Sequence, residues 1–308
     1  MDSKELKEFI AKKRDSLSKS SVNTYSSILR SLHKQIWNTA DVDPSNFDST
    51  KTVIEHLEDM PSNKRKTILS ALTVISGKKE YRDLMMNDIG EYRREIEKQE
   101  KTPAQEKSWV TQGEILAKYK DLEKVAAPLL KKDSLTNPEK QKVQDFVLLA
   151  LLSGIHISPR RSKDYVDFKL RNSSDDDNYI SDNKKQLVFN SYKTSKSYGK
   201  QTVALPTKLR NILNRWAAVN DSDYLLIDSK GQPLGNGTRD SQSGSVKLNQ
   251  RLEKMFNKKV GVNGLRHSYL TEKYQDTEEE KRKKKEKEKT MKDMGSSTAM
   301  LNTYIKED

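Results

Sequence analysis

The chain contains no cysteine, which excludes disulfides, thiolate catalysis and zinc fingers. No stretch approaches the roughly 20 apolar residues of a membrane span. The first residues, MDSKELKEFIAKKRD, are charged from the start and hold no signal-peptide core. These absences lead to the expectation of an intracellular protein, neither secreted nor embedded in a membrane. Charge, by contrast, is abundant. Lysine and arginine number 58 against 45 aspartates and glutamates, a formal net charge of +13. A surplus of that size favours polyanions, with nucleic acid first among them. A basic protein without such a partner is the plain alternative. Hydrophobic residues are 33% of the chain, enough for modest cores beneath heavily charged helix faces.

A length of 308 residues suggests two domains. Residues 20–36 place Val22, Tyr25, Ile28, Leu29, Leu32 and Ile36 at helical spacing, after serines suited to an N-cap. Residues 62–77 repeat the pattern with Ile68, Leu69, Leu72 and Ile75, and Gly77 stops it. A more weakly patterned helix covers about 79–99. The first hundred residues therefore read as a small helical bundle whose exposed faces carry many cations, Lys64, Arg65 and Lys66 among them, that could meet DNA. The stretch KQEKTPAQEKSW (98–109) is polar, contains Pro103 and lacks a hydrophobic period. It marks a linker, giving domains at 1–100 and 109–308 with 101–108 between them.

In the second domain, 111–126 and 138–153 read as helices, and the second turns strongly apolar toward a buried end. A polar loop, RNSSDDDN (171–178), precedes two short strands, KQLVFNSY (185–192) and KQTVALP (200–206). The intervening KTSKSYG, with Gly199, suggests a β-hairpin. Helices resume at 207–219, 245–258 and 265–275, a charged run at 278–289 suits a solvated helix, and a short helix may be expected at 298–305. The fold class expected is mainly α with a small β-sheet or hairpin, α+β.

Four segments carry candidate chemistry. SGIHISPRRSKDY (153–165) sets two arginines after a proline at the end of the buried helix. Lys193 stands at the expected hairpin tip. VNGLRHSYLT (262–271) places Arg266 and His267 after apolar Leu265. MGSSTAMLNTYIKED (294–308) carries Tyr304. Each alone has an ordinary reading: a basic loop, a solubilising lysine, a structural histidine, a tail tyrosine.

Together, in the order Arg, Lys, Arg-His, Tyr, they resemble the tyrosine recombinase (integrase) family. The resemblance covers about 109–308; the N-terminal bundle matches the family's core-binding domain only in general character. VNGLRHSYLT looks like the family's histidine–x–x–arginine–histidine box, with Asn263 in place of the first histidine. The lysine hairpin resembles the family's, which makes Lys193 the catalytic lysine. MGSS…Y looks like the family's LGHSS…Y ending. In the first motif His156 stands where the arginine usually follows TGL. The PRR-x-x-DY arrangement resembles a variant seen in viruses and mobile elements. In that register Arg161 has Asp164 three residues on, which favours Arg161 over Arg160 as the catalytic arginine. The family's histidine or tryptophan before the tyrosine is missing, and Gly295 or Ser296 falls there.

The resemblance implies DNA strand transfer with no metal and no cofactor. The nucleophile is Tyr304, which forms a 3′-phosphotyrosine. Arg161 and Arg266 are the fork-shaped donors to the charged phosphate. Lys193 is the general acid for the departing 5′ oxygen, and His267 and Asn263 are further phosphate partners. The bond energy kept in the phosphotyrosine lets religation proceed without ATP. The partner implied is double-stranded DNA, held between two domains as a clamp. The protein is expected to be a free monomer that becomes a homotetramer on two DNA sites, in the host nucleus, cytoplasm or virion. Other readings are a type IB topoisomerase, which shares this chemistry, and a DNA-binding descendant that has lost catalysis. A basic helical RNA-binding scaffold would leave the ordered residues unexplained.

Overall fold

The computed structural model describes residues 1–235, 242–275 and 278–296. The chain divides into two units, Met1–Lys101 and Thr102–Asp308. It is mainly helical with one small antiparallel sheet, an α+β chain. No described helix is long and apolar enough to cross a membrane.

The first unit is built from α1 (Ser3–Lys13), α2 (Lys19–Trp37), a 3-10 turn at Pro44–Asp48, α3 (Thr50–His56), α4 (Ser62–Ser76) and α5 (Lys79–Glu97). α2 starts where Ser18 accepts a hydrogen bond from the Ser21 amide, and α4 stops at Gly77, whose φ of 71° suits a residue without a side chain. The sequence reading has no counterpart for α1. Only Leu6 and Ile10 of α1 are buried, too short a stripe to stand out among charges. Its start is nevertheless encoded, since Asp2 and Glu5 form a reciprocal capping box. The core joins Leu6 and Ile10 to Leu29, Leu32, Phe47, Leu69, Leu72 and Tyr81. The hydroxyl of Tyr81 donates to the Phe47 carbonyl at 2.7 Å.

The exposed basic face expected at 64–66 needs correction. Arg65 forms a two-pronged pair with buried Asp88, at 2.9 and 2.7 Å. The Lys66 ammonium lies over the Tyr92 ring. Only Lys64 of the three is exposed. Residues i and i+1 on a helix point about 100° apart, so adjacent cations meet different surroundings.

The second unit begins with a helix, α6 (Pro103–Ser108), where the sequence suggested an irregular linker. Proline at the first helical position and a Thr102–Gln105 capping box account for it. There follow α7 (Gln112–Leu129), α8 (Asn137–Leu152) and α9 (Ser162–Val166). The sheet comprises β1 (Tyr179–Ile180), β2 (Gln186–Phe189) and β3 (Gln201–Ala204), with α10 (Ser195–Tyr198) between the last two. Then come α11 (Thr207–Val219), α12 (Gln242–Phe256), α13 (Val262–Tyr274) and α14 (Glu278–Asp293).

α8 is the axis of this unit. From Phe146 to Leu152 every residue is buried, so neighbours surround its end. α7 and α11 pack on it. Arg251 of α12 binds it through Asp145 and the side-chain and main-chain oxygens of Gln141. Gln144 donates to the Ile227 carbonyl at 2.9 Å and accepts from the Ile227 amide at 2.7 Å, fixing the strand-like segment after α11. After α8 the chain turns at Gly154, with φ of 83°. A Cβ there would lie 2.2 Å from the Tyr269 ring, so α13 approaches this turn closer than any side chain allows.

The sheet has order β1-β2-β3, with Val188 opposite Thr202 and Phe189 opposite Gln201. The two longer strands pair antiparallel as the expected hairpin, with a long connection. Residues 190–200 contain the short helix α10, so Lys193 stands in the connection just before a helical turn.

Candidate functional site

The turn after α8 carries Ile157, Ser158, Pro159, Arg160 and Arg161 to the wall of a cavity of about 500 Å³. Asp164 of α9, Tyr192 and Thr194 before α10, Tyr198 at its end, Gln201 and Val203 of β3 and Arg266 of α13 complete it. Three guanidinium groups thus face one space with one carboxylate among them, which leaves two positive charges uncompensated in the lining. That is the electrostatic form of an anion site.

The three arginines are held differently. Arg160 is fully engaged. Its Nε donates to Asp164 at 2.8 Å and its Nη1 to Gln201 at 2.9 Å. Its guanidinium stacks 3.9 Å from the Phe189 ring centre and 5.1 Å from that of Tyr192. Arg266 makes two longer contacts, to the Pro159 carbonyl and to Asn263 Oδ1, each at 3.3 Å. Burial lowers its affinity for its proton, and Arg161 adds repulsion. Arg161 is half-buried and has no hydrogen-bond or ion-pair partner among the described residues. The carboxylate three residues beyond Arg161 therefore serves Arg160, four residues before it, through the first turn of α9.

Asp164 is 2% exposed, and its second oxygen is buried without a partner. Burial raises its pKa, against the pull of Arg160 and then of Arg161 and Arg266. Its backbone is tied in as well. Asn178 donates to the Asp164 carbonyl at 3.0 Å and to that of Ser191 at 2.8 Å, and its Oδ1 accepts from the amides of Asn190 and Ser191 at 2.9 Å each. One buried amide therefore couples α9 to the segment leading to Lys193. Asn178 closes a run of polar residues that reads as loop in the sequence. Nothing in the local pattern separates it from its neighbours.

The remaining candidates divide. Lys193 is exposed; its neighbours Tyr192 and Thr194 line the cavity, and Tyr192 anchors the turn by donating to the Gly199 carbonyl at 2.7 Å. Asn263 and His267 are exposed on α13, which starts at Val262, three residues earlier than expected. Asn263 reaches the cluster through Arg266; His267 makes no hydrogen bond among the described residues. Tyr304 lies outside the described residues. His156 faces away, its Nε2 bonded to the Tyr119 hydroxyl at 2.8 Å. Gly295 has φ of 68°, and the chain ends α14 there with the amide of Ser296 on the Met291 carbonyl and that of Gly295 on Lys292. The missing histidine or tryptophan thus falls on a helix-terminating turn, where a left-handed residue is needed. Tyr269, one turn beyond Arg266, bonds Ser158 at 3.0 Å and receives Lys273 at 3.2 Å; the Ser158 contact is the main cause that lowers its pKa. Among the described residues no group of three or more His, Asp or Glu is placed to hold a metal ion.

Behind the cluster, Asp167 is half-buried, with Oδ1 unpartnered and so close to Gly235 that a Cβ there would stand 2.0 Å away. Burial lifts its pKa from 3.8 to about 6, against Lys163 and Lys169. A raised acid keeps in the folded state a proton that the unfolded chain has lost. Stability should therefore fall as pH rises from about 4 to about 6 and level off above. Asp167→Asn is expected to flatten that fall. At pH 7 it should raise the melting temperature of the second unit by about 2–4 °C, the effect of about 1 kcal/mol after allowing for partial exposure. At pH 4 it should change little. Scanning calorimetry at the two pH values checks this.

No family model matches the chain, and comparison with curated proteins and with solved structures finds no match.

Proposed function

We propose that the chain cuts and rejoins DNA through a covalent bond between Tyr304 and a 3′ phosphate. The observation that supports it best is the convergence of Arg160, Arg161 and Arg266 on one cavity with only Asp164 to offset them. The forks of Arg161 and Arg266 suit the non-bridging oxygens of a phosphodiester, whose charge grows as phosphorus becomes five-coordinate. Arg160, stacked and bonded, holds the carboxylate and the loop that present Arg161. In the reaction the Tyr304 oxygen bonds to phosphorus as the bond from phosphorus to the 5′ oxygen breaks. The phenol proton passes to solvent or to His267, and Lys193 gives a proton to the 5′ oxygen. Attack by a 5′ hydroxyl reverses these steps, with no net consumption of bond energy. Site-specific recombination or integration, with the free monomer assembling as a homotetramer on two duplex sites, is the fuller form of this reading. Relaxation of supercoils by the same chemistry is its nearest variant.

The second reading is a DNA-binding protein without strand transfer. The helix-terminating role of Gly295 and the asparagine at 263 favour it, because each removes a titratable phosphate donor.

The test is a nicked duplex that traps the covalent intermediate, incubated with protein and EDTA and read on a denaturing gel. An adduct is expected that Tyr304→Phe abolishes, whereas Tyr198→Phe and Tyr269→Phe retain it. An adduct lost in either of those and kept in Tyr304→Phe would move the nucleophile. Salt-sensitive binding with no adduct in any variant would select the second reading.

A further inference from the structure

The first unit holds a second basic cavity, of about 390 Å³, in the groove between α1 and α2. Its lining includes Lys7 of α1 and Asn23, Ser26, Ser27, Arg30 and Lys34 of α2. Positions 23, 26–27, 30 and 34 recur every three to four residues, so they lie on one face of α2. No acidic side chain and no aromatic ring lines the groove. Its three cations have no ion pair among the described residues, unlike Arg65 on α4, which is spent on Asp88.

The second observation is Ser26. Its residue is 1% exposed, and its hydroxyl has no hydrogen-bond partner. A serine in a helix interior usually returns its proton to a carbonyl one turn back, as Thr73 and Ser76 do on α4. A buried hydroxyl left unbonded costs about 1–3 kcal/mol, so it stands out at the floor of a cationic groove.

We propose that this groove binds a phosphate of the DNA backbone, with Lys7, Arg30 and Lys34 supplying charge and Ser26, Ser27 and Asn23 supplying neutral donors. The inference rests on the reading of the chain as a DNA-binding protein but not on its catalysis. With three cations, no carboxylate and no ring for stacking, the groove suits the sugar-phosphate chain rather than base edges, and its contribution is independent of sequence. The start of α1 is not the site, since Asp2 already accepts from the amides of Lys4 and Glu5.

The experiment measures duplex binding by the full-length protein over a range of salt, by fluorescence anisotropy, with adduct formation on the nicked duplex read in parallel. The groove variant carries Lys7→Gln, Arg30→Gln and Lys34→Gln. A control of equal charge carries Lys51→Gln, Lys79→Gln and Lys98→Gln on other faces of the same unit. Each phosphate contact contributes about 0.9 to the slope of log affinity against log salt. The groove variant is expected to lose about 1 from that slope, and the control less than about 0.5. Ser26→Ala is expected to weaken binding about 3- to 10-fold at unchanged slope, with no fall in melting temperature because no bond is lost. Equal loss of slope in groove and control variants would overturn the proposal, as would an unchanged slope. So would a groove that is stabilised by inorganic phosphate while its variants bind duplex like the natural protein. If the groove variant loses slope but the natural protein forms no adduct, the groove stands and the catalytic reading fails. If the adduct forms and the slope is unchanged, the reverse holds.

Discussion

Arg266→Ala is expected to slow formation of the covalent DNA adduct by a factor of about 10²–10³, the usual loss for one preorganised donor to a developing anion. Its contacts at 3.3 Å to Pro159 and Asn263 are too long to add much to stability. Burial and the nearby Arg161 work against its charge. Removing it should therefore leave the melting temperature within about 2–4 °C of the natural protein's, the span of 1 kcal/mol in a domain of this size. Arg266→Lys keeps the charge and loses the fork, so it should recover only part of the rate. Single-turnover adduct formation, followed beside calorimetry, checks both. A variant that melts early and loses activity in proportion would show that Arg266 holds the fold rather than phosphate.

Asp164→Ala should have the larger effect on stability, a loss of about 3–5 kcal/mol, because it leaves the buried Arg160 without its counter-charge. Arg160 and Asp164 have side chains only 17% and 2% exposed. The aromatic faces of Phe189 and Tyr192 hold the guanidinium in place, so it cannot swing out to water without unstacking. Replacing both partners by apolar residues, as in Arg160→Met with Asp164→Leu, should recover most of the loss. Denaturant unfolding of the full chain, with the second unit's transition resolved, measures it. If the single variant costs no more than the double, the pair is not coupled. Adduct formation in the double variant should stay low even with stability restored, because the carboxylate and stacked arginine also hold the loop that presents Arg161.

Much of the helical framework can be read from spacing alone. α2, α4, α8 and α11 carry apolar stripes long enough to rise above a heavily charged background. α1, α3 and α6 do not, since each buries only one or two residues, or none. α6 was legible in principle, because Thr102, Pro103 and Gln105 write a helix start. Its polarity conceals it from any reading based on hydrophobic period. The hairpin of β2 and β3 was legible from a glycine-bearing segment between alternating strands, but the helical turn inside its connection, which Tyr192 pins, was not.

The sequence by itself determined the absence of thiol chemistry, the excess positive charge and the main helices. These depend on composition and on periods of three to four residues, which are local properties. Tertiary structure alone decided which of the candidate residues share a space. It assigned Asp164 to Arg160 rather than Arg161, because α9 starts between them and turns the carboxylate back toward the earlier arginine. It joined Arg266 to the Pro159 carbonyl after α8 across 107 residues, and the glycine at 154 lets Tyr269 of the same helix pack against that turn. It also took Arg65 and Lys66 out of the exposed basic face and left Lys7, Arg30 and Lys34 lining a groove. Charge is counted along a chain, but whether it is spent or available depends on what folds against it.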